Sequence, residues 1–173
     1  MNASDDRSRC PLDTPAAFAR ALVAVALLAC GPAHALDCTF FTSGVAFGVY
    51  DGTLPTPSDS TGNATLRCTH LGGGAVKTSY TIALSTGASG SFLQRQLRAG
   101  NAVLNYNLFT DATRTQVWGD GSGGSAIVAG TLLVNPGNFV INEAVHPIYG
   151  RVPAQQSADS GIYADQILVT LTF

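Results

Sequence analysis

Asp165-Gln166-Ile167-Leu168-Val169-Thr170-Leu171-Thr172-Phe173, the last nine residues of the sequence, alternate between apolar and polar positions from Ile167 onward, with Leu168 the one apolar exception on the second face. Successive side chains of a β-strand point to opposite faces, so Ile167, Val169, Leu171 and Phe173 share one face. Such a strand has two natural settings. It is the last core strand of a complete sandwich, or it is the edge of an incomplete sheet that takes a strand from another chain to supply main-chain hydrogen bonds. The alternation is compatible with both.

Upstream, no stretch between residues 36 and 173 sustains a 3.6-residue apolar period, whereas several repeat with period two between clusters of Gly, Ser, Thr, Asn and Asp. The pattern predicts strands over Thr39–Val49, Asn63–His70, Thr78–Ser85, Val103–Thr110, Gln116–Trp118, Ala126–Val134 and Ala164–Phe173. Short strands separated by turn-rich stretches predict an all-β sandwich or barrel. Asp111–Arg114 reads as the loop of a hairpin. The glycine-rich stretch Gly119–Gly124 lacks the Lys-Ser/Thr ending of a phosphate-binding loop and reads as a turn.

At the other end, Arg7, Arg9 and Arg20 precede an apolar run, Ala21–Ala29, which is too short to span a bilayer. Gly31, Pro32 and the small-residue pattern Ala33-His34-Ala35 follow. Together these predict a secretory signal peptide over residues 1–35 and a single mature domain over 36–173, with no stable membrane insertion. Leu27-Leu28-Ala29-Cys30 is a competing lipoprotein-type cleavage box, into which Leu28 fits poorly. Cys10 and Cys30 fall in the leader, so Cys38 and Cys68 are the pair left to form a disulfide in an exported chain. The formal net charge of −2 and the scattered basic residues offer no surface for nucleic acid.

Catalytic patterns are absent from the sequence. It has no G-x-S-x-G elbow, and the seven aspartates and one glutamate of residues 36–173 lie mainly in turns, where Asp serves local hydrogen bonding. His70 and His146 lie beside predicted turns, outside any metal-ligand spacing, and are expected at the surface or as caps. The expected catalytic, metal and cofactor sets are all empty.

Five blocks then carry a resemblance. Phe47-Gly48-Val49-Tyr50-Asp51, Arg95, Leu104-Asn105-Tyr106-Asn107-Leu108-Phe109-Thr110-Asp111, Val117-Trp118-Gly119-Asp120-Gly121 and Gly161-Ile162-Tyr163-Ala164-Asp165 occur in the order and spacing of spore coat U domains. The chain resembles that family, which includes pilins of the archaic chaperone-usher type. The resemblance implies an incomplete immunoglobulin-like sandwich completed by a donor strand, with a periplasmic chaperone, an outer-membrane usher and other pilin subunits as partners. It also implies a role in attachment and biofilm formation. By position it implies the Cys38–Cys68 disulfide, places Ile167, Val169, Leu171 and Phe173 beside the acceptor groove, and gives Tyr50, Tyr106 and Trp118 structural roles. In one respect the sequence departs from rod pilins: only Leu36 and Asp37 precede Cys38 in the expected mature chain, so it is not expected to donate a strand. The alternative is a self-sufficient secreted coat module that binds a carbohydrate or a surface.

Overall fold

A computed structural model describes residues 36–137 and 140–173; the expected signal peptide lies outside these described residues. Eight strands form two antiparallel sheets. They are β1 (Leu36–Ser43), β2 (Ser58–His70), β3 (Val76–Leu84), β4 (Arg95–Ala99), β5 (Ala102–Phe109), β6 (Val128–Val134), β7 (Asn142–Val152) and β8 (Val169–Thr172). One sheet runs β1-β2-β7-β5-β4 and the other β6-β3-β8.

Period-two patterning explains the layers. Ala64, Leu66 and Cys68 of β2, Leu104, Tyr106 and Leu108 of β5, and Ile148 and Val152 of β7 point inward from the first sheet. Tyr80, Ile82 and Leu84 of β3, with Leu132 and Val134 of β6, meet them from the second. Trp118, completely buried, enters from the β5–β6 connection and donates its indole N–H to the Ile82 carbonyl at 2.9 Å. Cys38 and Cys68 are direct cross-strand partners and form the expected disulfide, which ties the first strand to the core.

Several expectations are corrected. The first strand begins at Leu36 and ends at Ser43, well short of Val49, because Gly44 leaves the ladder and the following residues hang from β2 through side chains. Ser60 Oγ donates to the Ala46 carbonyl at 2.7 Å and Ser58 Oγ to that of Phe47 at 3.3 Å. Gln116–Trp118 makes only isolated bridges, Phe109 to Val117 and Trp118 to Ala126, around the expected turns. Two strands escaped the pattern. Of these, β7 contains Pro147, which normally speaks against a strand interior. Here β5 pairs with β7 only over Tyr149–Arg151, so Pro147 stands where the ladder is one-sided, a setting that tolerates proline.

Neither histidine is a surface cap. His70 ends β2 in the buried interior. His146 points inward from β7, where its Nε2 lies 2.8 Å from the Tyr80 hydroxyl and the rings pack edge to face at 5.7 Å. Burial holds the His146 pKa below the ordinary imidazole value of 6.5. On the outer face, Asp59 receives two hydrogen bonds from Arg151 at 2.7 and 2.8 Å, with Arg114 at 3.3 Å, and the Arg151 bond keeps this carboxyl below its ordinary value.

These features yield two predictions. Replacing both Cys38 and Cys68 by alanine frees a loop whose ends are 30 residues apart in sequence. Urea unfolding should then show a loss of about 3 kcal/mol. Both depressed pKa values mean that the unfolded chain binds protons first, so stability rises with pH. The His146 contribution is complete above pH 6.5 and is lost as pH falls through the lower folded value, and the Asp59 contribution follows below 3.8. Thermal melts from pH 7 to pH 3 should fall in two stages, and His146→Gln should flatten the upper one.

Candidate functional site: an open groove beside the last strand

The site begins with a buried cation. Arg95, the first residue of β4, is completely buried and makes four hydrogen bonds to neutral oxygens. Its Nε and Nη2 donate to the Ser85 carbonyl at 3.0 and 2.8 Å, Nη2 to the Trp118 carbonyl at 2.7 Å, and Nη1 to Asn107 Oδ1 at 2.7 Å. The guanidinium also lies 5.3 Å from the centre of the Phe92 ring. Burial pulls its pKa down, and nearby Tyr106 and Asp165 oppose that shift. Tyr106 donates to Asp165 Oδ2 at 2.7 Å; burial first, and then this bond, push the phenol pKa upward. Asp165 Oδ1 accepts the backbone N–H groups of Ala88 and Gln166 at 3.0 and 2.8 Å. The carboxylate comes so close to Gly87 that a Cβ there would lie 2.1 Å from Oδ2, and φ is +66° at this position, so a side chain at 87 would be strained and would displace the carboxylate.

From Asp165 the chain changes sheets. Ala164 exchanges two backbone bonds with Arg98 of β4, at 2.9 and 3.1 Å, whereas Leu168 is bonded to Ser85 and Val169 pairs with Leu84 of β3. Only Val169–Thr172 of the expected Ala164–Phe173 strand is therefore regular β-structure. The crossing walls one side of a cavity of about 220 Å³. Asp165, Ile167 and Val169 form that wall, while Leu84, Leu97, Tyr106, Leu108 and Ile148 make the floor. Thr42, Ser43, Gly44, Val45 and Phe47, at and beyond the end of β1, face them.

Val45 and Phe47 can fold inward because β7 carries Gly150 beneath them. A Cβ there would lie 2.6 Å from Val45 Cγ1 and 2.8 Å from Phe47 Cζ. Phe47 in turn packs edge to face on Tyr106 at 5.9 Å. Tyr50 anchors the same segment, donating to the Pro153 carbonyl and accepting from Gln156 N–H, each at 2.8 Å.

Two sheet edges flank this cavity. Among the described residues β1 pairs only with β2, and no strand lies on the side of β8 away from β3. In immunoglobulin-like order β1, β2, β7 and β5 correspond to A-B-E-D with β4 added at the edge. In the other sheet β3 and β8 correspond to C and F with β6 as an extra edge strand, and among the described residues no strand takes the G position beside β8. An apolar trough between unpaired backbone edges offers main-chain hydrogen bonds and alternating pockets. Among the described residues no group of His, Cys, Asp and Glu is arranged to hold a metal ion.

The four terminal residues named from sequence are not equivalent. Ile167 and Val169 line the cavity, Leu171 packs on the core farther along, and Phe173 is 61% exposed, outside the cavity lining. Sequence reading missed Leu97 and Ile148 because β4 and β7 were not visible, Val45 because it was placed in a continuous first strand, and Leu84, although on the expected third strand, because nothing local marks it as facing the cavity.

The fold thus defines a class, the immunoglobulin-like sandwich, with β8 at a sheet edge among the described residues. The chain belongs to the Spore Coat Protein U domain family, whose model matches residues 23–170. It is 29% identical over 134 residues to Protein U of Myxococcus xanthus, covering 73% of this chain and 70% of that one. Its fold is similar to a chain in the crystal structure of the CsuC-CsuE chaperone-tip adhesion subunit pre-assembly complex from the archaic chaperone-usher Csu pili of Acinetobacter baumannii. That match has a TM-score of 0.53 and 22% identity, and it covers 80% of this chain but only 40% of the other.

If the Arg95 cluster organises the floor, Arg95→Met should leave the buried carbonyls of Ser85 and Trp118 without the Arg95 donors and Asn107 Oδ1 with only the Leu108 N–H, at 3.0 Å. The loss should be about 3 kcal/mol or more in urea unfolding. Arg95→Lys should not restore it, because an ammonium cannot reproduce the planar fork.

Proposed function

We propose that this chain is an exported structural subunit of a chaperone-usher pilus or surface coat, and that its groove accepts a β-strand from a partner. The observation that carries this reading is the apolar cavity between the unpaired edges of β1 and β8, lined by Ile167 and Val169. Main-chain pairing gives affinity in such a groove, and the spacing of apolar pockets gives selectivity. A periplasmic chaperone would fill it first and a neighbouring subunit later, with an outer-membrane usher between those steps. The fold shared with the Csu complex and the family membership support this assignment, and attachment and biofilm formation are the roles we assign to the assembled fibre or coat.

A second reading is a self-sufficient coat or surface-binding module. Its support is that Ile167, Val169 and Leu171 already pack partly against the core without a partner strand.

Periplasmic expression of the full-length chain with and without its strand-donating chaperone separates the two. The first reading expects aggregation or early melting of the lone oxidised domain and rescue in a one-to-one complex. A stable solitary monomer that ignores the chaperone would favour the second. Val169→Asp should abolish co-purification with the chaperone by placing a charge in the groove, while a matching change at exposed Leu168 should leave it intact.

A further inference from the structure

The groove is bounded by a segment that ought to fall into it. Ile167 and Val169 are only half-buried and face a void, and an apolar wall beside an unfilled space gains contacts by collapsing onto the floor. Something must hold that wall away. Ala164 is fixed to Arg98 and Leu168 to Ser85, so the intervening stretch depends on Asp165. Asp165 is held from both sheets at once. Ala88 in the turn after β3 bonds Oδ1, and Tyr106 from β5 of the opposite sheet bonds Oδ2. Tyr106 is itself immobilised, because its ring is buried in the core, Phe47 packs on its edge, and Asn107 beside it in β5 is clamped by Arg95.

We propose that the Tyr106 hydroxyl is a positioning group for strand acceptance: through Asp165 it struts the wall formed by residues 165–169 away from the floor, so that the groove stands open before a strand arrives. The inference rests on the strand-accepting reading above and adds to it the device that keeps the empty groove competent. The binding-competent fraction of the free protein scales the apparent association with a strand, so loosening the strut slows capture. Once a strand fills the groove, its side chains hold the wall and the strut becomes redundant. Dissociation should then change little.

The test uses the oxidised full-length chain and a synthetic peptide of about ten residues alternating Val or Ile with Thr, long enough to lie along one strand. Tyr106→Phe keeps the ring and removes the bond; Asp165→Asn keeps the side-chain shape and weakens it, so either variant serves if the other folds poorly. Both should associate with the peptide about tenfold more slowly than the parent, with dissociation unchanged. Backbone N–H groups of Gln166–Val169 should exchange faster in the empty variants and at the parental rate once the peptide is bound. Val134→Ala lowers stability from a buried site outside the cavity lining and should leave association unaltered, whereas if Tyr106 acted only through overall stability this variant would slow association as well. Equal association rates for parent and both variants would overturn the inference while leaving strand acceptance intact. Failure of the parent to bind any such peptide would overturn the strand-accepting reading and the inference with it.

Discussion

The buried guanidinium of Arg95 is the constraint around which the rest of this sandwich is arranged. A desolvated cation is tolerable only when its donors are satisfied. Arg95 meets that requirement with the carbonyls of Ser85 and Trp118 and the side chain of Asn107, drawn from three separate parts of the chain. These partners fix the end of β3, the turn holding Trp118 and the middle of β5 relative to one another. Trp118 extends the reach by bonding Ile82, and Asn107 by donating to the Phe92 carbonyl at 2.8 Å. Tyr106 and Asp165 bring the approach to the last strand into the same network.

This gives a physical meaning to sequence blocks that look unrelated along the chain. Phe47 packs on Tyr106, Arg95 clamps Asn107, Trp118 roofs the clamp, and Asp165 hangs from the phenol. The blocks at 47–51, 95, 104–111, 117–121 and 161–165 are separate in sequence because they sit on different strands and connections, and they meet because two sheets facing each other bring those strands to one place. The polar network is small, and a half-satisfied version would be worse than an apolar core, which makes each partner hard to replace singly.

The groove follows from the same arrangement. Alternating apolar residues close most of the sandwich, but among the described residues β8 pairs on one side only, and the loop after β1 bends over Gly150 instead of continuing the ladder. What the site presents is therefore backbone and hydrocarbon, with Asp165 and Tyr106 at one end. That combination suits recognition of an extended chain, in which main-chain bonds are nonspecific and side-chain pockets discriminate. The disulfide contributes by tying β1, one flank of the groove, to the fully buried Cys68 near the end of β2.

Much of this was legible before any coordinates. Period-two alternation is a local property, so it marked β3, β5, β6 and the end of the chain as strands and the class as all-β, while the choice of sandwich over barrel came from the resemblance. Two cysteines in the expected mature chain left one pairing, and Cys38 and Cys68 are indeed neighbours across a ladder. What the sequence did not disclose was long-range. Pro147 concealed β7 because its acceptability depends on β5 stopping short of it. Nothing local marks Arg95 as buried, since a charged residue enters a core only when distant chain segments supply its acceptors. Terminal alternation predicted a common face for Ile167, Val169, Leu171 and Phe173, yet the change of sheet at Asp165 decided that the first two line the cavity and the last does not. Local periodicity determines which residues seek burial; only the meeting of both sheets determines what they are buried against and where a gap is left.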